Sequence, residues 1–260
     1  STTSETYKQF LATDKMTGVD ASLANAFISF CHTSLAHNQP DRYDFQEVEH
    51  AFISDLEMTL RLVALFRLRF EPQLPGREEN YEREQLQLSQ AIDDYNTGHA
   101  YLDSIRRTVY RCALTFITNT LKTNFFVAEK HALAFRLNPA YLDELGEEFT
   151  ADLAPERPFR VTFFFGRHDD FTTSCNTLFR ENYVLAHTQH LKNKDIYEGG
   201  SKMVVALDAA DIDNPEILTR RLYKMQYGFI QAFLDIFVTD DGVARDQRVV
   251  DYYREDEPIE

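Results

Sequence analysis

Apolar positions are spaced along this chain in two different ways, and the change falls near residue 127. In the N-terminal part, residues 20–36 and 45–70 are dense in Ala, Leu, Phe and Met with few breakers, which predicts helices. Glu71-Pro-Gln-Leu-Pro-Gly-Arg-Glu-Glu-Asn80 gathers turn residues and charge and predicts a linker. Leu102, Ile105, Val109, Cys112 and Phe116 then recur at steps of three and four, one face of a further helix. Cys112 lies in that stripe and reads as core, with a redox role as the other reading.

From about residue 128 the pattern alternates between strands and helices. His131–Leu137 alternates in part and closes at Asn138-Pro139, while Pro158–Phe165 is aromatic and β-branched, so both predict strands. Ser174 is placed to cap a helix from Asn176 to Lys192, and the apolar run Met203–Leu207 predicts a third, buried strand. Asn214-Pro215-Glu216 is a helix start: a capping amide, a proline in the first turn, and an acid near the positive end of the helix dipole. Leu218, Leu222, Met225, Phe229, Phe233 and Ile236 give it an apolar stripe, and Asp240-Asp241-Gly242 predicts a turn after it. The expected fold is α+β, with a helical region over 1–127 followed by an α/β region over 128–260 that holds a small mixed sheet.

Composition narrows the function classes. A chain of 260 residues, 43% hydrophobic and 13% aromatic, has enough apolar matter for one large core or two modest domains. Its net charge of −15 argues against nucleic-acid binding, which draws on clustered Lys and Arg. Cys31, Cys112 and Cys175 are odd in number and far apart, which points to reduced thiols of an intracellular protein rather than a disulfide framework. No apolar run reaches the ~18 residues of a spanning helix, so no membrane partner is expected.

The densest chemistry lies in Leu191–Leu207. Lys192 and Lys202 stand ten residues apart, and Gly199-Gly200 allows a tight turn that delivers Lys202 to the mouth of the strand. A lysine held there beside a second cation is a candidate acid–base group. The same residues fit a surface loop with solvated lysines. His187 and His190, three apart, have a workable metal-ligand spacing, but no Cys or acid is anchored beside them by pattern.

Several motifs resemble, in order, the large-subunit NAD-dependent glutamate dehydrogenases of fungal and protist type. They are Thr123-Asn124-Phe125-Phe126, Phe164-Phe165-Gly166-Arg167, Leu178-Phe179-Arg180-Glu181-Asn182-Tyr183, Lys192–Asp195 with Glu198–Lys202, Asp235–Thr239, and Arg248–Glu260. The resemblance covers about residues 120–260. It implies oxidative deamination of L-glutamate to 2-oxoglutarate and ammonia, with NAD as cofactor of the parent enzyme. It further implies Lys202 as acid/base and Lys192 as ligand of a substrate carboxylate, with Gly199 and Gly200 shaping the substrate turn. A homo-oligomer and a cytoplasmic location, with mitochondrial as the alternative, are also expected.

Three departures set limits on that reading. Gly166–Cys175 crosses an interval where the family carries a Gly-Gly-Arg block, and there is no Gly-Gly pair; Arg167 and His168 are partial stand-ins or an ordinary polar loop. The family's Gly-Pro-Asp-Glu-Asn motif, with its catalytic aspartate, does not occur. No G-x-G-x-x-G follows any strand, so a dinucleotide-binding domain is expected to be absent and the segment inactive alone. The alternative is a non-catalytic scaffold or oligomerisation module derived from such an enzyme.

Overall fold

Helix α1 (Gly18–Ala36) opens the structure on a reciprocal cap: Asp20 N donates to Thr17 Oγ1 at 3.2 Å, while Thr17 N and Oγ1 donate to Asp20 Oδ2 at 3.1 and 2.7 Å. The computed structural model describes residues 16–36, 39, 41–138, 140–145, 161–165, 185, 214–241 and 243–252. The run expected over 45–70 is two helices, α2 (Phe45–Ile53) and α3 (Leu56–Phe70). The break has a local cause, because Asp55 takes an extended backbone and its Oδ1 accepts from Met58 N at 3.2 Å, restarting the helix. The expected linker is shorter than 71–80. Gly76, at φ +64°, supplies a left-handed turn that ends it, and α4 (Arg77–Asp93) begins at once.

Helix α5 (Ala100–Asn119) buries Ile105, Val109, Cys112 and Phe116 as its spacing predicts, whereas Leu102 stays exposed. The chain then enters β1 (Thr120–Thr123), so strand structure starts ahead of residue 128. With β2 (Leu133–Leu137) and β3 (Val161–Phe165) it forms a sheet of order β1-β2-β3 in which both pairings are antiparallel. Met203–Leu207 lies outside the described residues; the strands among them pair antiparallel, behind a helical N-terminal region, in the α+β class expected. A short helix α6 (Tyr141–Leu145) follows β2. Helix α7 (Pro215–Phe237) starts where expected: Asn214 Oδ1 accepts from Glu216 N at 2.9 Å with Pro215 in the first turn. A two-residue hairpin, β4 (Thr239–Asp240) and β5 (Val243–Ala244), turns through Asp241 at φ +52°.

All five residues of β2 are buried. Leu133, Phe135 and Leu137 face the helices, joining a core whose centre is aromatic: Phe116 lies 5.6 Å from Phe27, 4.7 Å from Phe30 and 5.0 Å from Phe135, ring centre to ring centre. Ala134 faces the other way, against Ala232 and Ile236 of α7. The helical region and the first two strands therefore share one core. The face that α7 turns to the sheet is Gly228, Ala232 and Ile236, one turn apart each; of the expected stripe, Ile236 is buried, while Leu218, Leu222 and Phe233 are exposed. The small residues let the helix backbone approach, and a Cβ built on Gly228 would meet His131 Cβ at 3.3 Å.

Candidate functional site

Three of the quoted motifs converge at one polar junction on the α7 side of the sheet. Asn124 sits at its centre, fully buried at the end of β1. Its Oδ1 accepts from Ala134 N at 2.8 Å, and its Nδ2 donates to Ala132 O and to Asp235 Oδ2, each at 3.0 Å. The Asn124 N–H adds a bond to Ala134 O at 3.3 Å, so side chain and backbone together continue the β1–β2 ladder past the last regular pair. Beside it Thr123 Oγ1 accepts from Phe125 N at 3.1 Å and turns the chain into Phe125-Phe126. Thr123–Phe126 and Asp235–Thr239 are thus joined directly, 111 residues apart in sequence.

The third motif enters through a buried ion pair. Lys122 Nζ lies 2.6 Å from Asp251 Oδ2, and the two side chains are 7% and 18% exposed. A lysine there needs its partner, since a lone buried ammonium is strongly disfavoured. Arg136, opposite Lys122 in the β1–β2 register, is buried too and stacks on the Phe237 ring at 4.9 Å. Tyr252 N donates to Leu121 O at 3.1 Å, so Asp251 and Tyr252 lie beside β1. The Tyr252 hydroxyl donates to Arg69 O, and Arg69 is ringed by Tyr252, Tyr81 and Phe70, at 4.1, 5.0 and 5.5 Å from their centroids. Arg69 in turn donates through Nε and Nη2 to Thr120 O at 3.3 and 3.2 Å. Burial pushes the Tyr252 and Tyr81 phenols above their ordinary range, which keeps the Tyr252 hydroxyl a protonated donor.

Closer to the hairpin, the fork from Arg248 to Asp246, with bonds of 2.9 and 2.7 Å, holds the Asp246 carboxyl below its usual range. Val127, Ala244 and Val249 pack beneath it. What this arrangement does is fix three segments in register.

Lys192, Gly199, Gly200 and Lys202 lie outside the described residues, as do Arg167, His168, Cys175, His187, His190 and, apart from Leu185, the helix expected over 176–192. Among the described residues no group of three or more His, Cys, Asp or Glu is placed to hold a metal, and no helix is long and apolar enough to cross a membrane. The junction itself was half visible in the sequence. Asn124, Asp235 and Asp251 sit inside quoted motifs, but nothing in their spacing ties them together or to Lys122.

No family model matches the chain, and no solved structure matches it. Curated relatives do. An NAD-specific glutamate dehydrogenase of Neurospora crassa is 33% identical over 55% of this chain and 14% of its own length. Glutamate dehydrogenase 2 of Dictyostelium discoideum is 30% identical over 58% of this chain and 16% of its own length. In the NAD-specific glutamate dehydrogenase of Saccharomyces cerevisiae the figures are 30%, 48% and 13%. The chain spans about one seventh of the length of such relatives, and over about half of its own residues it is similar to NAD-specific glutamate dehydrogenases.

Proposed function

We propose that the chain is the substrate-side segment of an NAD-dependent glutamate dehydrogenase, serving the oxidative deamination of L-glutamate to 2-oxoglutarate and ammonia. The observation that carries this reading is the similarity to enzymes of that name, in a chain that holds both Lys192 and Lys202 around Gly199-Gly200. Lys192 pairs with a carboxylate of the dianionic substrate. Lys202, with a second cation nearby, releases its proton readily enough to act as a base toward the water that attacks the imine, then returns it. Gly199 and Gly200 let the backbone come close to the substrate.

NAD accepts the hydride in the parent reaction, yet the residues present do not fit it: no G-x-G-x-x-G follows a strand in this sequence. No step of the reading is routed through it, and the chain alone is expected not to turn over. The helical region over 1–127 supports the α/β region over 128–260, the parent assembles as a homo-oligomer, and its compartment is cytoplasmic or mitochondrial. A second reading, a scaffold derived from the enzyme, is favoured by the short Gly166–Cys175 interval without its Gly-Gly pair.

Calorimetric titration with 2-oxoglutarate and L-glutamate separates the two. Saturable binding, weakened at least tenfold by both Lys202→Ala and Lys192→Ala, supports the substrate segment. A folded chain that binds neither ligand overturns it in favour of the scaffold.

A further inference from the structure

Cys31 and Cys112 meet in the interior where α1 crosses α5. Both thiols are buried and unbridged. Cys31 Sγ reaches Val109 O at 3.5 Å, and Val109 lies one turn before Cys112 on the same buried face of α5. Helical side chains lean toward the N-terminus, so the Cys112 sulfur lies over that Val109 turn, the spot that Cys31 already occupies. From these placements we propose that Cys31 and Cys112 form a latent redox pair, which a small peroxide closes into a disulfide joining α1 to α5.

The chemistry is a two-electron oxidation. One thiolate attacks a peroxide oxygen, the O–O bond breaks, and the sulfur becomes a sulfenic acid while water leaves. The second thiolate attacks that sulfur, the S–S bond forms, and the S–O bond breaks with loss of a second water. Two thiols are oxidised and one hydrogen peroxide is reduced to two waters.

Burial sets the pace. It pushes the Cys31 thiol well above its ordinary range, and the neighbouring Cys112 pushes it further, so the reactive thiolate is scarce in the closed core. The pair therefore resists brief oxidant and responds to sustained exposure, or to loosening of the α1–α5 contact. Once closed, the bond ties off a loop of roughly 80 residues, which restricts the unfolded chain and raises the melting temperature, by several degrees in order of magnitude.

The test is hydrogen peroxide treatment of the full chain, native and in urea, followed by alkylation and peptide mapping without reductant. The expected native product has lost two hydrogens and carries a Cys31–Cys112 link that dithiothreitol reverses. That link should exceed Cys31–Cys175 and Cys112–Cys175 at least tenfold, and the preference should vanish in urea. The Cys175→Ser chain should behave the same way and melt higher once oxidised. The idea is overturned if native Cys31 and Cys112 stay open to alkylation after unfolding, if each is oxidised singly without joining, or if links to Cys175 dominate.

Discussion

The two faces of strand β2 are equally dry but are filled by opposite means. On one, Leu133, Phe135 and Leu137 enter the aromatic core of the helices. On the other, Ala134 meets α7, Arg136 stacks on Phe237, and Lys122 from the neighbouring strand pairs with Asp251. Apolar burial is non-directional, so the first face tolerates any set of side chains that fills the volume. The second face works only with its partners in place, because each buried polar group left alone costs free energy. The difference explains why Asp251 and Tyr252 sit against β1: Lys122 needs the Asp251 carboxylate there.

The sharpest test of the apolar face is Phe135→Ala. Phe135 is fully buried, 5.0 Å from Phe116 and 5.9 Å from Phe66, and its loss should cost about 3–5 kcal/mol in urea unfolding. Phe135→Leu should recover most of that, since volume rather than partner is what the site asks for. On the polar face, Asp251→Ala should cost roughly 3 kcal/mol by stranding Lys122. The double replacement Lys122→Met with Asp251→Leu should return to within about 1 kcal/mol of the parent. If the double variant is as unstable as the single one, the ion pair does more than neutralise itself, and the contrast between the faces needs another cause.

Asn124→Asp is the next smaller test, at about 2 kcal/mol near neutral pH. It keeps the acceptor for Ala134 N but replaces the donor that serves Asp235 with a second negative oxygen. Protonating the new carboxyl restores a donor, so the deficit should shrink as pH falls through the carboxylate range; a deficit independent of pH would remove charge from the explanation. His32 offers the counterpart within the helices. Burial lowers its pKa below 6.5, against a weaker pull upward from Asp44. The unfolded chain therefore takes up a proton first, and the stability held above pH 6.5 declines as pH falls from there through the folded value. Replacing His32 with Gln should flatten that slope in melting curves taken from pH 7 to pH 5. Further down, Asp20 acts in the same direction. Burial would raise its carboxyl, but Thr17 and Arg67 outweigh this and hold it below 3.8, so its contribution fades as pH drops past that value.

How much of this could be read from sequence follows the same division. Helix α1 was legible as an apolar run with few breakers, and α5 through Ile105, Val109, Cys112 and Phe116 at helical spacing. Helix α4, by contrast, buries only Tyr81, Leu88 and Ile92 and carries too thin a stripe to be read. The split of 45–70 was present as Asp55, a capping residue hidden inside an apolar run. The start of α7 was legible as Asn214-Pro215, since capping is local chemistry. The polar junction was not, because two of its links join residues over a hundred positions apart and no spacing rule connects Lys122 to Asp251 or Asn124 to Asp235. The lysines of the expected substrate turn rest on resemblance and on local pattern, and the described residues do not include them.

The least effect, and the most instructive about pattern, belongs to Gly228. The sequence stripe on α7 follows the large side chains, but the face that meets the sheet is Gly228, Ala232 and Ile236. Large residues weigh most in a hydrophobic pattern, whereas close approach of backbones selects small ones. Gly228→Ala adds a Cβ 3.3 Å from His131 Cβ, with His131 backbone atoms at 3.8 and 3.9 Å. The contact asks His131 to give by a few tenths of an ångström and costs about 1 kcal/mol. Alanine's better helix propensity returns about the same amount. The net change should stay within about 1 kcal/mol, read as a melting shift of a few degrees at most. Gly228→Leu offers no such offset and should push α7 off the strand, carrying Asp235 away from Asn124. If leucine is tolerated as well as alanine, the small-residue face is not what seats this helix, and the larger stripe regains its claim.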